Sequence, residues 1–214
     1  MKVIVKPTQS GKTAVIIKLI QEEFLDDELY SEVKHLNFIF NANNLLLTKQ
    51  TKGRFKKDIN DILHDVIEFS SNASSDAKTV YELLGFLTFD DVSNIMVCNN
   101  SRRVNDIIEV IHKLNSKHNY TINIWVDEAD NFIKSLKEFQ KLLEYKNINL
   151  WAITATPQNI FDVFGEQHIY KLKDTTAPNY HGWNDNNINI RENTKTSIEF
   201  IAPSLMGWVF LLQG

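Results

Sequence analysis

The run Lys6-Pro7-Thr8-Gln9-Ser10-Gly11-Lys12-Thr13 constrains the fold of this chain more than any other stretch. It follows a short apolar segment, Met1-Lys2-Val3-Ile4-Val5, and leads into the helical pattern Ala14-Val15-Ile16-Ile17-Lys18-Leu19-Ile20. A strand, a tight loop ending in Gly11-Lys12-Thr13 and a helix form an arrangement suited to a nucleoside triphosphate. Backbone N–H groups and the helix N-terminus face the phosphates, Lys12 reaches the β and γ groups, and the Thr13 hydroxyl is placed to ligate Mg2+. Thr8, Gln9 and Ser10 complete the expected cradle. The general pattern carries glycine where this chain has Lys6, so the loop alone does not decide the chemistry.

A second element adds what the loop lacks. Thr121-Ile122-Asn123-Ile124-Trp125-Val126 reads as a buried strand that ends on Asp127-Glu128-Ala129-Asp130. Acidic residues at the carboxyl end of an apolar strand suit phosphoryl transfer: Asp127 to hold the metal, Glu128 to orient or deprotonate the attacking water. Ligands of open α/β sheets bind at the carboxyl ends of the strands, so both motifs are expected at one crevice. The competing account is an acidic helix N-terminus, where Asp and Glu are favoured in any case.

A third element is Leu150-Trp151-Ala152-Ile153, another short apolar run, ending in Thr154-Ala155-Thr156-Pro157. Taken in order, Pro7 to Thr13, Asp127 to Asp130 and Thr154 to Pro157 resemble motifs I, II and III of DEAD/DEAH-like superfamily 2 helicases and translocases. In that family a substituted first loop glycine is ordinary. The resemblance spans about residues 1–157 and implies a RecA-like P-loop domain, an α/β fold with a mostly parallel sheet and helices on both faces. It implies ATP and Mg2+ as cofactors, with hydrolysis coupled to movement on DNA or RNA. Lys12 and Thr13 would serve phosphate and metal, Asp127 the metal, and Glu128 with Lys12 catalysis. Asp130, Thr154 and Thr156 would couple the nucleotide to the nucleic-acid surface. On local chemistry alone, Thr154 and Thr156 read as hydroxyls capping the turn after a strand.

Weaker echoes lie between these motifs. Leu36 to Phe40 is a candidate strand followed by Asn41-Ala42-Asn43-Asn44 and Thr48-Lys49-Gln50-Thr51; Ile95 to Cys98 is another, followed by Asn99-Asn100-Ser101-Arg102-Arg103. Amides, hydroxyls and arginines at strand ends suit sugar and phosphate contacts, which position a nucleic acid without reading its sequence. Asn43, Gln50, Asn99, Asn100 and Arg102 are therefore candidate nucleic-acid contacts, and an ordinary solvated loop is the alternative. Lys49, Lys52, Arg54, Lys56 and Lys57 form a basic run without an acid, which reads either as an electrostatic footprint or as a solvated face.

Composition sets outer limits. The chain has 214 residues, of which 43% are hydrophobic and 23% charged, as in ordinary globular domains. A formal net charge of −4 gives no general attraction to nucleic acid, so binding must come from local patches. Cys98 is the only cysteine, which excludes an internal disulfide and suits a reducing, intracellular setting. Neither a secretory signal nor a metal-ligand spacing among the six histidines is visible. Asparagine, isoleucine and lysine are plentiful, a bias that suits an AT-rich genome. A large DNA virus, acting in host cytoplasm or nucleus, is one source consistent with it.

Apolar periodicity predicts helices over about Lys12–Leu25, Ile59–Phe69, Thr79–Phe86, Val104–Leu114 and Phe132–Leu143. Composition changes after Lys173. Residues 1–173 are expected to form the ATP-binding domain and residues 174–196 a polar linker. Within it, Tyr180 and Trp183 either stack on a base or anchor the linker. Residues 197–214 read as the stump of a missing second RecA-like domain. Their tail, Leu205 to Gly214, is too short and too interrupted by Gly207 to cross a bilayer, which takes about 20 apolar residues. Superfamily 2 motors close two such domains over ATP, so the resemblance implies weak activity alone. It also implies a need for a second domain or partner chain. Two other readings stand beside it: a motor subunit of a restriction or repair complex, and a nucleotide-dependent binding module.

Overall fold

Short apolar runs alternate with helical segments along the chain, and the computed structural model shows what that alternation builds. It describes residues 1–6, 11–27, 34–42, 44–58, 65–90, 92–115, 120–165, 189–193, 200–204 and 207–213. The chain divides into two compact units, Met1–Thr175 and Thr176–Gly214.

In the first unit the strands are β1 (Lys2–Val5), β2 (Lys34–Asn41), β3 (Asp65–Phe69), β4 (Val92–Cys98), β5 (Tyr120–Asp127) and β6 (Ile148–Thr154). Helices α1 (Lys12–Asp27), α2 (Leu45–Asp58), α3 (Val80–Phe89), α4 (Ser101–Asn115), α5 (Ile133–Gln140) and α6 (Gln158–Phe164) intervene. The strands form one six-stranded sheet in the order β1-β6-β5-β2-β4-β3, parallel throughout. Parallel neighbours need a crossover, and helical connections supply it while covering both faces. This is an α/β fold of the RecA-like kind.

Each face has its own core. On one side Leu36, Phe38 and Phe40 of β2 join Ile122, Ile124 and Val126 of β5, and α3 to α6 cover them through Leu83, Ile107, Phe139 and Ile160. On the other side Ile39, Met96, Trp125 and Trp151 lie beneath Ile16 and Ile20 of α1 and Phe55 of α2. The Trp125 and Trp151 rings stack with centroids 4.8 Å apart. Trp125 is fully buried, and removing a ring of that size from a core costs about 3–5 kcal/mol. Helix α3 is fixed at its start by a reciprocal cap: the Thr79 hydroxyl accepts the Glu82 N–H, and the Glu82 carboxylate accepts the Thr79 N–H.

One expectation changes. The helix expected over Ile59–Phe69 is instead, from Asp65 onward, the edge strand β3; residues 59–64 lie outside the described residues. A parallel strand buried on both faces reads as a nearly continuous apolar run, which mimics helical spacing in a short window. The basic run from Lys49 to Lys57 lies on α2, whose Thr48, Thr51 and Phe55 are buried while Lys49, Arg54 and Lys57 are exposed.

The second unit contains β7 (Asn189–Asn193), β8 (Phe200–Ser204) and β9 (Gly207–Gln213). Strand β9 lies in the middle, parallel to β7 and antiparallel to β8. The stretch read as linker thus holds a strand, β7, that pairs with the apolar tail. Tyr180 and Trp183 lie outside the described residues. Among the described residues no helix is long and apolar enough to cross a membrane.

Candidate nucleotide site

Where β1, β5 and β6 end, the sheet turns from apolar to charged. Chain order and strand order diverge here: β1 and β2 follow one another in sequence, yet β6 and β5 lie between them in the sheet. Such a break in strand order opens a crevice at the carboxyl edge. Lys6, the first residue past β1, is tied back by its amide N–H to the Thr154 carbonyl at 2.8 Å. It is buried, and desolvation lowers the pKa of its ammonium group. Pro7, Thr8, Gln9 and Ser10 lie outside the described residues.

Gly11 has φ +82°, a left-handed conformation that an L side chain enters only under strain. The chain then drops directly into α1 at Lys12, with the Val15 N–H donating to the Gly11 carbonyl at 3.1 Å. The Lys12 ammonium crosses the crevice to the Glu128 carboxylate at 2.5 Å. Lys12 and Thr13 are therefore on the first turn of α1, beside the acidic strand end.

Glu128 is in the left-handed region, with φ 52° and ψ 44°, the only non-glycine positive φ among the described residues. Such a conformation costs about 1–3 kcal/mol and persists where the surroundings impose it. Here the Glu128 N–H donates to the Asp127 Oδ1 at 2.9 Å, and the Glu128 carbonyl accepts the Asn131 N–H at 3.0 Å. The turn aims Glu128 at Lys12 and carries Asp130 on toward β6.

At Asp130 both carboxylate oxygens are occupied. Oδ1 accepts the Thr154 hydroxyl and Oδ2 accepts the Thr156 hydroxyl at 2.8 Å. Thr154 Oγ1 in turn accepts the Thr156 N–H at 3.0 Å, so the turn-capping role and the link to Asp130 occur together. The end of β6 is thus clamped to the turn after β5.

The cluster is unbalanced in charge. Asp127, Glu128 and Asp130 lie along one turn, with the Lys12 ammonium paired to Glu128 and acting on Asp127. Burial, above all, pushes the Asp127 carboxyl above its ordinary range; the Lys12 ammonium opposes this, and Glu128 and Asp130 add to the rise. A divalent cation would add positive charge, and the Asp127 and Thr13 oxygens could hold it. Among the described residues no group of three or more His, Cys, Asp or Glu side chains forms a ready-made cage. Mg2+ takes one or two protein oxygens and completes its shell with phosphate and water.

The candidate nucleic-acid residues fall in different places. Gln50 is exposed on α2, and Arg102 is exposed on the first turn of α4. Asn100 caps α4, its Oδ1 accepting the Arg103 N–H at 3.0 Å. Asn99, by contrast, is buried: its N–H donates to the Asn41 carbonyl at 2.8 Å and its Oδ1 accepts the Ser135 hydroxyl at 2.9 Å. It braces β4 against α5 and does not face solvent. Asn43 lies outside the described residues. The structure also brings in residues the sequence did not single out as a unit. Arg103 lies over the Phe69 ring, 4.2 Å from its centroid, and donates to the Lys78 carbonyl and to Asp106. The Thr48 hydroxyl meets the Cys98 thiol at 3.3 Å. Local sequence carries no signal for the Lys12–Glu128 pair or the left-handed Glu128, because both depend on elements far apart in the chain.

A parallel α/β sheet with Gly11-Lys12-Thr13 opening a helix beside Asp127-Glu128 defines a P-loop NTPase domain. The chain belongs to the family described as type III restriction enzyme, res subunit, whose model matches residues 2–159. That match makes this stretch a helicase-like ATPase domain, of a family that generally uses ATP and Mg2+. Among curated proteins none matches the chain significantly.

Proposed function

We propose that residues 1–159 couple ATP hydrolysis to remodelling of, or movement along, DNA or RNA. The observation that carries this reading is the Asp130 carboxylate shared by the Thr154 and Thr156 hydroxyls. It ties the acidic turn next to Lys12 to the strand end through which a nucleic-acid surface could sense the nucleotide.

The residues divide the work by position. The first-turn amides of α1 and the Lys12 ammonium take the phosphates, which requires Lys12 to leave Glu128. Glu128, released, accepts a proton from the attacking water. Asp127 and Thr13 hold Mg2+, whose role is to neutralise charge on the phosphate oxygens. Gln50, Asn100 and Arg102 are proposed to touch the sugar-phosphate backbone, with Arg54 and Lys57 adding positive charge.

Full turnover is proposed to need an arginine from a second RecA-like domain or a partner chain. Within residues 1–159, Arg103 is committed to Asp106 and the Lys78 carbonyl, and Arg102 and Arg54 lie on α4 and α2, past the ends of β4 and β2. An arginine supplied in trans raises phosphoryl-transfer rates about 10³–10⁵-fold in related systems. The family match is also compatible with a second setting, the motor subunit of a restriction complex.

Glu128→Gln is the direct test. The variant should bind Mg·ATP as the parent does while turnover falls at least a hundredfold. Unchanged turnover would remove Glu128 from the reaction and assign the attacking water to another group. A binding module that never hydrolyses ATP would show no turnover in the parent either. Strong nucleic-acid-stimulated hydrolysis by the chain alone would refute the need for an outside arginine.

A further inference from the structure

Four asparagines, Asn94, Asn37, Asn123 and Asn149, lie side by side on neighbouring strands β4, β2, β5 and β6. The register pairs Asn37 with Asn94, Asn37 with Asn123, and Asn123 with Asn149. Their amides run head to tail: Asn149 donates to Asn123 at 3.0 Å, Asn123 to Asn37 at 3.2 Å, and Asn37 to Asn94 at 3.1 Å. The Trp125 indole N–H donates to the same Asn37 oxygen at 3.1 Å. Asn37, Asn94 and Asn123 are buried.

An unmatched buried amide is costly, and aligned amide dipoles reinforce one another. Asparagine ladders of this kind need parallel strands in register. On the face covered by α3 to α6 the apolar positions cannot enforce that register alone; on the other face the Trp125–Trp151 stack acts together with the asparagine row. A slip by one residue would turn every side chain to the wrong face, and burial forbids it. A slip by two keeps the faces and replaces Ile124 by Ile122 or Val126, and Phe38 by Leu36 or Phe40, at little loss of apolar character. The asparagine row does not survive such a slip, because one amide of each slipped pair would meet Ile39, Met96, Trp125 or Trp151 instead of its asparagine. A two-residue slip of β5 moves Asp127 by about 6.6 Å, which would separate Lys12 from Glu128 and Asp130 from Thr154.

We propose that this ladder is the register lock of the central sheet, and that Asn37 and Asn123 are positioning residues for the cluster at the strand ends. The effect on nucleotide binding rests on the nucleotide-site reading above; the effect on register does not. The test uses the 214-residue chain with all four asparagines replaced by leucine, and a second variant with Asn37 and Asn123 restored. NMR of the Trp125 and Trp151 indole N–H groups reports register, and fluorescence of trinitrophenyl-ATP with Mg2+ reports the site. The fourfold variant should show doubled Trp125 and Trp151 resonances and at least tenfold weaker nucleotide binding, and the restored variant a single set with parent-like binding. A single set of resonances in the fourfold variant would overturn the lock. In the parent, the side-chain amides of Asn37 and Asn123 should exchange slowly with D2O; exchange as fast as that of a solvated asparagine would overturn it independently. If the parent binds no nucleotide while the resonances double as expected, the site reading fails and the lock stands.

Discussion

The carboxyl edge of the sheet has two halves that differ in kind. At β1, β5 and β6 it carries Lys12, Asp127, Glu128 and Asp130, with a strained backbone at Glu128. At β2 and β4 it carries amides, a hydroxyl and a thiol: Asn41, Thr48, Cys98 and Asn99, braced by Ser135. The charged half gathers Asp127, Glu128 and Asp130 beside the Lys12 ammonium, as expected where a ligand brings further counter-charge. The buried groups of the neutral half bond largely among themselves and serve as scaffold for the exposed contacts proposed on α2 and α4. Strain and uncompensated charge therefore mark the working half, and interior bonding marks the supporting half.

That contrast can be broken most directly at Lys12. Lys12→Ala should lower Mg·ATP turnover by about 10²–10³, the usual effect of deleting a group that stabilises developing charge. Steady-state hydrolysis measures it, and parent-like rates would mean that the charged half is not a nucleotide site. Ser135→Ala probes the neutral half. It leaves the Asn99 oxygen without its hydroxyl donor and should cost about 1–3 kcal/mol in urea unfolding. The KM for ATP should stay unchanged; a large shift in KM would erase the distinction between the two halves.

Asp127→Asn should show the opposite sign in stability. Burial raises the Asp127 pKa in the folded chain, so the folded state binds the proton more tightly than the unfolded state. Its contribution to stability consequently falls as pH rises through the carboxylate range and levels off above the raised folded pKa. The amide variant should flatten that slope and gain about 1 kcal/mol, or roughly 2–4 °C in Tm near neutral pH. It should also lose Mg2+-dependent nucleotide binding. A drop in Tm would show that Asp127 is a structural carboxylate. The smallest effect is expected at Lys52→Ala. Lys52 is paired with Asp76, but Asp76 also accepts the Glu68 N–H at 2.7 Å. The loss should stay within about 1 kcal/mol by thermal melts.

Much of this was legible in the residues. Strand β1, helix α1 and the strand bearing Asp127 announced themselves because each is bounded by a chemical change, from an apolar run to Gly11-Lys12-Thr13 or to Asp127-Glu128. Strand β3 was misread because its apolar residues face two cores at once, which gives no period-two signal. Asn99 was read as a surface contact because nothing local distinguishes an asparagine facing solvent from one bonded to Ser135, 36 positions further on. The asparagine row was invisible for the same reason, since it exists only across four strands.

By itself, the sequence determined β1, β2, β4, β5 and β6, the helices α1, α3, α4 and α5, and the chemical types at the ends of β1, β5 and β6, because those depend on neighbouring residues and their periodicity. Tertiary structure decided which of these groups meet. The Lys12–Glu128 pair spans 116 positions, and Asp130 reaches Thr154 and Thr156 only because β5 and β6 lie side by side. A contact between distant positions depends on strand order and register, and the physics that sets both acts on the whole sheet at once.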